Sequence, residues 1–130
     1  VGGATVVMPR FDAKAAVDTI GAEQISVMAE FPPMLESVLD MAAKHGGDLS
    51  SLRCIAGLDS PATINRFEST CPAACFWTGY GQSEVSGFAS MVRYRDRPGS
   101  AGVPVMLSQI RVVDDADQEL PIGQTGCTGH

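Results

Sequence analysis

This 130-residue chain has no run of lysines and arginines, and its 15 acidic side chains outnumber the 9 basic ones, giving a formal net charge of −6. Gripping a phosphate backbone takes a basic stripe, so a nucleic-acid-binding role is excluded. No apolar stretch approaches the roughly 18 residues that mark a membrane-spanning helix. No signal-peptide pattern opens the chain, and no initiating Met stands before Gly2-Gly3-Ala4; the expectation is an internal piece of a longer, cytoplasmic protein. The four cysteines, Cys54, Cys71, Cys75 and Cys127, form no CxxC pair and have no histidine at zinc spacing, which points to reduced thiols rather than a metal centre. Charge is scarce as well, 18% of residues where about a quarter is usual. With 45% hydrophobic residues, a buried core is expected and disorder is not.

What is present alternates between two periodicities. Thr5-Val6-Val7-Met8 is a short β-branched run and reads as a buried strand. Asp12 stands where a cap belongs, Ala13, Ala16, Val17 and Ile20 follow at helical spacing, and Gly21 is expected to end that helix. A second strand is expected over 25–29. After Phe31-Pro32-Pro33, a helix carries Met34, Leu35, Val38, Leu39 and Ala42 on one stripe and stops at Gly46-Gly47, with His45 beside Lys44 in its last turn. A third strand over 52–56 leads to Ser60-Pro61, an N-cap and first-turn pair. The helix that follows ends at Cys71-Pro72, and a fourth strand over 75–78 runs into Gly79-Tyr80-Gly81. Such β-α alternation implies an α/β fold, a layered parallel sheet with flanking helices. Ligands of such sheets bind beyond the C-terminal strand ends, where Phe31, Gly57 and the glycine-rich stretch are expected. From about residue 87 onward the pattern changes to part of a smaller β subdomain, with a hairpin expected between 109–114 and 119–121. The expected division is therefore 1–86 and 87–130.

The residues best suited to chemistry are Gly79-Tyr80-Gly81-Gln82-Ser83-Glu84. Two glycines permit close backbone approach, Tyr80 offers a flat face, and the Ser83 hydroxyl and Glu84 carboxylate are hard oxygen groups suited to a phosphate and Mg²⁺. On residue types alone, a plain strand-to-helix turn with Ser83 as N-cap is the better account of the stretch.

A wider comparison of motifs adds to this. Gly79–Glu84 resembles the GYGxTE signature of the adenylate-forming superfamily, which includes AMP-forming acyl-CoA synthetases, luciferases and peptide-synthetase adenylation domains. In order along the chain, Gly3–Phe11 is similar to the family's strand and MPxFD entry, Ile25–Leu35 to its VPPML segment, and Leu49–Arg53 to its DLSSLR. Arg97–Pro104 is similar to its KPGSVGxP, and Val112–Asp114 with Leu120–Gly126 to its IVD and LPPGEVGE. Six matches in sequence cover nearly the whole chain.

The resemblance implies a large N-terminal domain fragment of an enzyme that joins a carboxylic acid, expected to be fatty, to ATP and then to CoA. It implies that Tyr80 stacks on adenine, with Gly81, Gly57 and Leu58 beside the nucleotide. Ser83 would bond phosphate, Glu84 would hold Mg²⁺, and Phe31, Trp77, Gly79 and Gly102 would line the acyl pocket. Ser83 replaces the commoner Thr and keeps the hydroxyl. Ala56-Gly57-Leu58-Asp59-Ser60-Pro61 is shorter than its counterpart and has one Gly, and Cys127 stands where the family has Glu. The family's phosphate loop, ribose-binding Asp and lysine-bearing C-terminal domain have no counterpart in these residues. The fragment is therefore expected to need the rest of its parent and to be inactive alone. Two alternatives stay open: a non-enzymatic nucleotide-binding or interaction module of the same fold, and an adenylation domain loading a carrier protein.

Overall fold

The computed structural model describes residues 2–129; His130 lies outside them. Three helices alternate with three strands in the first part: α1 (Ala13–Glu23), β1 (Val27–Glu30), α2 (Met34–His45), β2 (Cys54–Gly57), α3 (Pro61–Thr70) and β3 (Cys75–Gln82). A 3-10 turn at Ser83–Val85 leads to β4 (Gly87–Arg93), and β5 (Val103–Pro104), β6 (Arg111–Val113) and β7 (Cys127–Gly129) follow. The strand order of the main sheet is β1-β2-β3-β4-β5, and β6 pairs with β7 separately. The fold is thus α/β with a mixed five-stranded sheet. Two compact units divide between Trp77 and Thr78, within β3, whereas the sequence places the change at 86/87.

In the first unit the helix ends follow local chemistry. Asp12 accepts a hydrogen bond from the Ala15 amide at 2.8 Å and starts α1. Ser60 accepts one from the Thr63 amide at 3.1 Å, and Pro61 fills the first turn of α3. Gly46 takes the left-handed conformation that closes α2, whose last turn carries Lys44 and His45. Ala16, Val17 and Ile20 of α1, Leu35, Val38 and Leu39 of α2, and Ile64 and Phe67 of α3 are buried with Ile55 and Phe76 of the sheet. β1, β2 and β3 are parallel, and residues Cys54↔Cys75, Ile55↔Phe76 and Ala56↔Trp77 lie opposite one another.

Three local expectations are corrected. The run 5–8 forms no strand, and Val7 is 80% exposed. A hollow of about 770 Å³ lies between residues 3–8, α1 and residues 25–29, so no ladder closes on β1 and the β-branched side chains stay uncovered. Gly21 does not end α1. The helix continues to Glu23, and Gln24 takes the left-handed cap instead, its amide donating to the Ile20 carbonyl. One internal glycine costs only about 1 kcal/mol, too little by itself to stop a helix. Finally, Gly79–Gln82 is not a turn but the second half of β3.

In the second unit β4 and β5 pair antiparallel through Ser90↔Pro104 and Met91↔Val103. The expected return arm is present as a bridge between Val113 and Glu119, closed by the Asp114 amide on the Gln118 carbonyl at 2.9 Å. The strand partner of β6 is β7.

Phe76 is fully buried at the centre of the first unit. Phe76→Ala is expected to lower stability by about 3–5 kcal/mol, read as a shift of the urea unfolding midpoint with an unchanged slope.

Candidate functional site

Parallel pairing brings the C-terminal ends of β1 and β2 level, because Glu30 lies opposite Gly57. Phe31 and Leu58, the residues immediately after them, are 64% and 47% exposed. Both are therefore presented at the strand ends. Trp77 lies opposite Ala56, half-buried, with its indole N–H donating to Cys75 Sγ at 3.2 Å.

Sequence reasoning passed over Glu30, yet it is the most anomalous side chain of this unit. It is 1% exposed, and neither carboxylate oxygen has a hydrogen-bond partner among the described residues. An ionised carboxylate so placed is strongly disfavoured. Burial first, and then the charge of Asp59, push its carboxyl up to about 7, with the Leu35 amide pulling weakly the other way. Asp59 also has one buried oxygen without a partner, while its other oxygen accepts from the Ser60 amide at 2.6 Å. Gly57 completes the arrangement: a Cβ there would stand 2.2 Å from the Glu30 carbonyl oxygen and 2.7 Å from Oε1. The only sequence signal for Glu30 was a lone acid closing the apolar run that begins at Ile25.

In the second unit β3 delivers Tyr80 half-buried, and the 3-10 turn that follows leaves Ser83 and Glu84 exposed. The turn is closed by the Ser86 amide on the Ser83 carbonyl at 3.0 Å. Tyr80 lies two residues before the end of β3, Ser83 and Glu84 follow it directly, and the two oxygen-bearing groups are exposed. Tyr80 is steadied from behind. Its amide donates to Ser90 Oγ at 3.4 Å, and that hydroxyl donates to the Ala101 carbonyl at 2.6 Å. Ser90, 3% exposed, was also missed; its signal was a lone hydroxyl in the apolar stretch 88–92.

The glycines of this unit approach backbone. A Cβ at Gly79 would stand 2.2 Å from the Ser90 carbonyl oxygen, and one at Gly81 2.1 Å from that of Gly87. Gly102 has φ +97°, and its Cβ would stand 2.4 Å from the Met91 carbonyl carbon. Bare backbone is required at all three positions for neighbouring strands to pass.

Among the described residues no three acidic, histidine or cysteine side chains converge as a metal cage. One exposed carboxylate beside one hydroxyl nevertheless suits Mg²⁺, which commonly takes one or two carboxylates and completes its shell from phosphates and water. The donor set at Ser83–Glu84 therefore fits a metal that arrives with a nucleotide. No helix among the described residues is long and apolar enough to cross a membrane.

An α/β sheet whose strand ends carry aromatic, hydroxyl and carboxylate groups is the class of architecture observed. The family model described as "AMP-binding enzyme" matches residues 1–127, so the chain belongs to the AMP-binding, adenylate-forming enzyme family. The indoleacetate–CoA ligase of Aromatoleum aromaticum is 33% identical over 95% of this chain and 25% of its own length. The 4-coumarate–CoA ligase 1 of Oryza sativa subsp. japonica is 28% identical over 88% of this chain and 22% of its own. A crystal structure from Rhodopseudomonas palustris CGA009, described as that of a "putative long-chain-fatty-acid CoA ligase", shares 50% identity. It superposes with a TM-score of 0.86 over 92% of this chain and 30% of that one. The chain thus spans about a quarter of the length of these curated relatives.

Two measurements test the site's physical reading. Between 4.5 and about 7 the folded chain holds the Glu30 proton that the unfolded chain releases. Stability from this group therefore falls as pH rises through that window. A carboxyl held at about 7 instead of 4.5 costs about 3 kcal/mol once ionised. Glu30→Gln, which cannot ionise, is expected to flatten the loss of stability between pH 5 and pH 8 when urea midpoints are compared with the parent sequence. Gly102→Ala must accept both the positive φ and the Met91 backbone. It is expected to cost at least about 1–3 kcal/mol, read by thermal unfolding.

Proposed function

We propose that the protein of which this chain is part is an AMP-forming carboxylate–CoA ligase. A substrate carboxylate oxygen attacks the α-phosphorus of ATP, pyrophosphate leaves, and the resulting acyl-AMP gives its acyl group to the CoA thiol with release of AMP. The observation that carries this reading is the exposed Ser83–Glu84 turn ending the strand that holds Tyr80, inside a chain whose family is defined by AMP binding. The two curated relatives are CoA ligases of carboxylic acids, and the description of the 50%-identical structure favours a fatty acid substrate.

In this reading Tyr80 gives the adenine its stacking face, and Gly57, Leu58 and Gly81 are further nucleotide-binding residues. Ser83 donates its hydroxyl proton to a phosphate oxygen. Glu84 is the chain's carboxylate for Mg²⁺, which when bound with the nucleotide supplies neutralisation of phosphate charge. Phe31, Trp77, Gly79 and Gly102 shape the acyl pocket; the aromatic pair provides apolar surface, and the glycines provide space. The chemistry asks for positioning and charge stabilisation more than for a protein nucleophile. Such an enzyme is cytoplasmic and draws on three diffusible substrates: a carboxylic acid, ATP and CoA.

The test is ATP–pyrophosphate exchange driven by a panel of carboxylic acids. Glu84→Ala in the full-length parent is expected to lower exchange about 10²–10³-fold, the usual loss when one charge-stabilising group is removed, with the circular dichroism spectrum unchanged. Exchange at the parental rate would remove Glu84 from the mechanism. The isolated 130 residues are expected to give no exchange, since one wall of a site cannot hold the reacting groups in line. Robust turnover by them would show the site to be complete within this chain.

A further inference from the structure

The outward face of the first unit's sheet carries a feature that acyl activation does not use. Strand residues alternate between faces. Ile55 and Phe76 point into the core, so Cys54 and Cys75 share the opposite face and lie directly opposite one another in the β2–β3 register. Both thiols are free, and both are only half-buried. Cys71, by contrast, is buried, and Cys127 belongs to another strand; the Cys75 thiol is directed at the Arg53 carbonyl at 3.6 Å. Neighbouring strands run about 4.7–4.9 Å apart, inside the range of about 4.4–6.8 Å over which two Cα atoms accept a disulfide.

We propose that Cys54 and Cys75 form a vicinal dithiol that a peroxide oxidises reversibly to an intramolecular disulfide. Cys75 Sγ attacks one oxygen of hydrogen peroxide, the O–O bond breaks, an S–O bond forms, and the first water leaves. Cys54 Sγ then displaces the hydroxyl from the Cys75 sulfur, forming the S–S bond and releasing the second water. The two thiols give up two protons and two electrons, and the peroxide takes both. The order follows from the surroundings. Burial, with the adjacent Cys75, raises the Cys54 thiol, which suits it to the second, intramolecular step. Cys75 Sγ already accepts the Trp77 indole proton at 3.2 Å. In-register parallel strands hold the two Cβ atoms side by side rather than turned toward each other, so the bond is strained and easily reduced, as labile regulatory disulfides are.

Closing this bond takes Cys75 Sγ away from the Trp77 indole N–H that donates to it. The consequence for acyl recognition rests on the pocket reading of Trp77 given above; the disulfide itself does not. The experiment treats the intact parent protein with hydrogen peroxide, alkylates remaining thiols and maps the peptides by mass spectrometry. A cross-linked peptide pair containing Cys54 and Cys75 is expected. It should disappear with dithiothreitol and be absent in Cys54→Ser and Cys75→Ser but present in Cys71→Ser. Independent alkylation of both thiols after peroxide, or cross-links made to Cys71 or Cys127 instead, would overturn the proposal. In the same oxidised sample the KM for the carboxylic acid in ATP–pyrophosphate exchange is expected to rise several-fold and to recover on reduction. A KM unmoved by a fully formed disulfide would overturn the coupling to Trp77.

Discussion

The structure depends on the in-register parallel pairing of β1, β2 and β3. Because strand side chains alternate, one register decides the environment of every residue in these strands. It turns Ile55 and Phe76 toward the helices, where both are fully buried, and leaves Cys54, Ala56, Cys75 and Trp77 on the other face. A slip by one residue would exchange the two sets and put the thiols and the indole into the core. The same pairing brings β1 and β2 to an end together, which is why Phe31 and Leu58 emerge side by side. The helices enforce it: α2 packs on both α1 and α3, and their apolar stripes cover only one face of the sheet.

Glycine has a second role, distinct from the one its motif suggests. Gly57, Gly79, Gly81 and Gly102 each stand where a Cβ would lie within 2.5 Å of a neighbouring strand or strand end. Real contacts of that kind do not occur, so these positions need bare backbone before any ligand is considered. The side chains free to offer functional groups in this stretch are those between and after the glycines: Tyr80, Ser83 and Glu84. A glycine-rich stretch thus carries a packing requirement of its own, close approach of neighbouring backbone. The Ser90 hydroxyl accepts from the Tyr80 amide while bonding the Ala101 carbonyl.

The features legible in the sequence were those set by local chemistry. Asp12, Ser60-Pro61 and Gly46 announce helix ends because capping involves residues only a few positions apart. The alternation of β and α elements was legible from periodicity alone. Apart from the end of α1, where Gln24 rather than Gly21 takes the cap, the failures involve distant partners. Val6 and Val7 have strand propensity, but a strand needs a ladder, and none closes on them. Gly79–Gln82 looks like a turn until β4 runs beside it. The exposed Ser83–Glu84 turn was readable because its residue types are functional groups. Glu30 and Ser90 were not, since each is an ordinary polar residue until tertiary packing buries it. The facing of Cys54 and Cys75 was equally invisible, because it depends on a register 21 residues apart in the chain.

Glu30 shows where this unit tolerates energetic cost. Folded domains commonly retain about 5–15 kcal/mol in total, so a buried carboxylate penalised by several kcal/mol is a large local deficit. An apolar side chain of similar volume would remove it. The deficit is not in the middle of the core but at the joint between the ends of β1 and β2, beside Asp59 and the start of α3. Departures from local rules are expected at functional or strained positions, and this one borders the two segments that present Phe31 and Leu58. The largest apolar side chains of the core carry no such conflict: Phe67, Phe76, Leu35, Leu39, Ile55, Ile64 and Val38 are each at most 2% exposed. Stability in the first unit therefore comes from the helix-covered half of the sheet, and its weakest electrostatics lie at the strand ends, where a ligand or a neighbouring part of a larger protein would meet it.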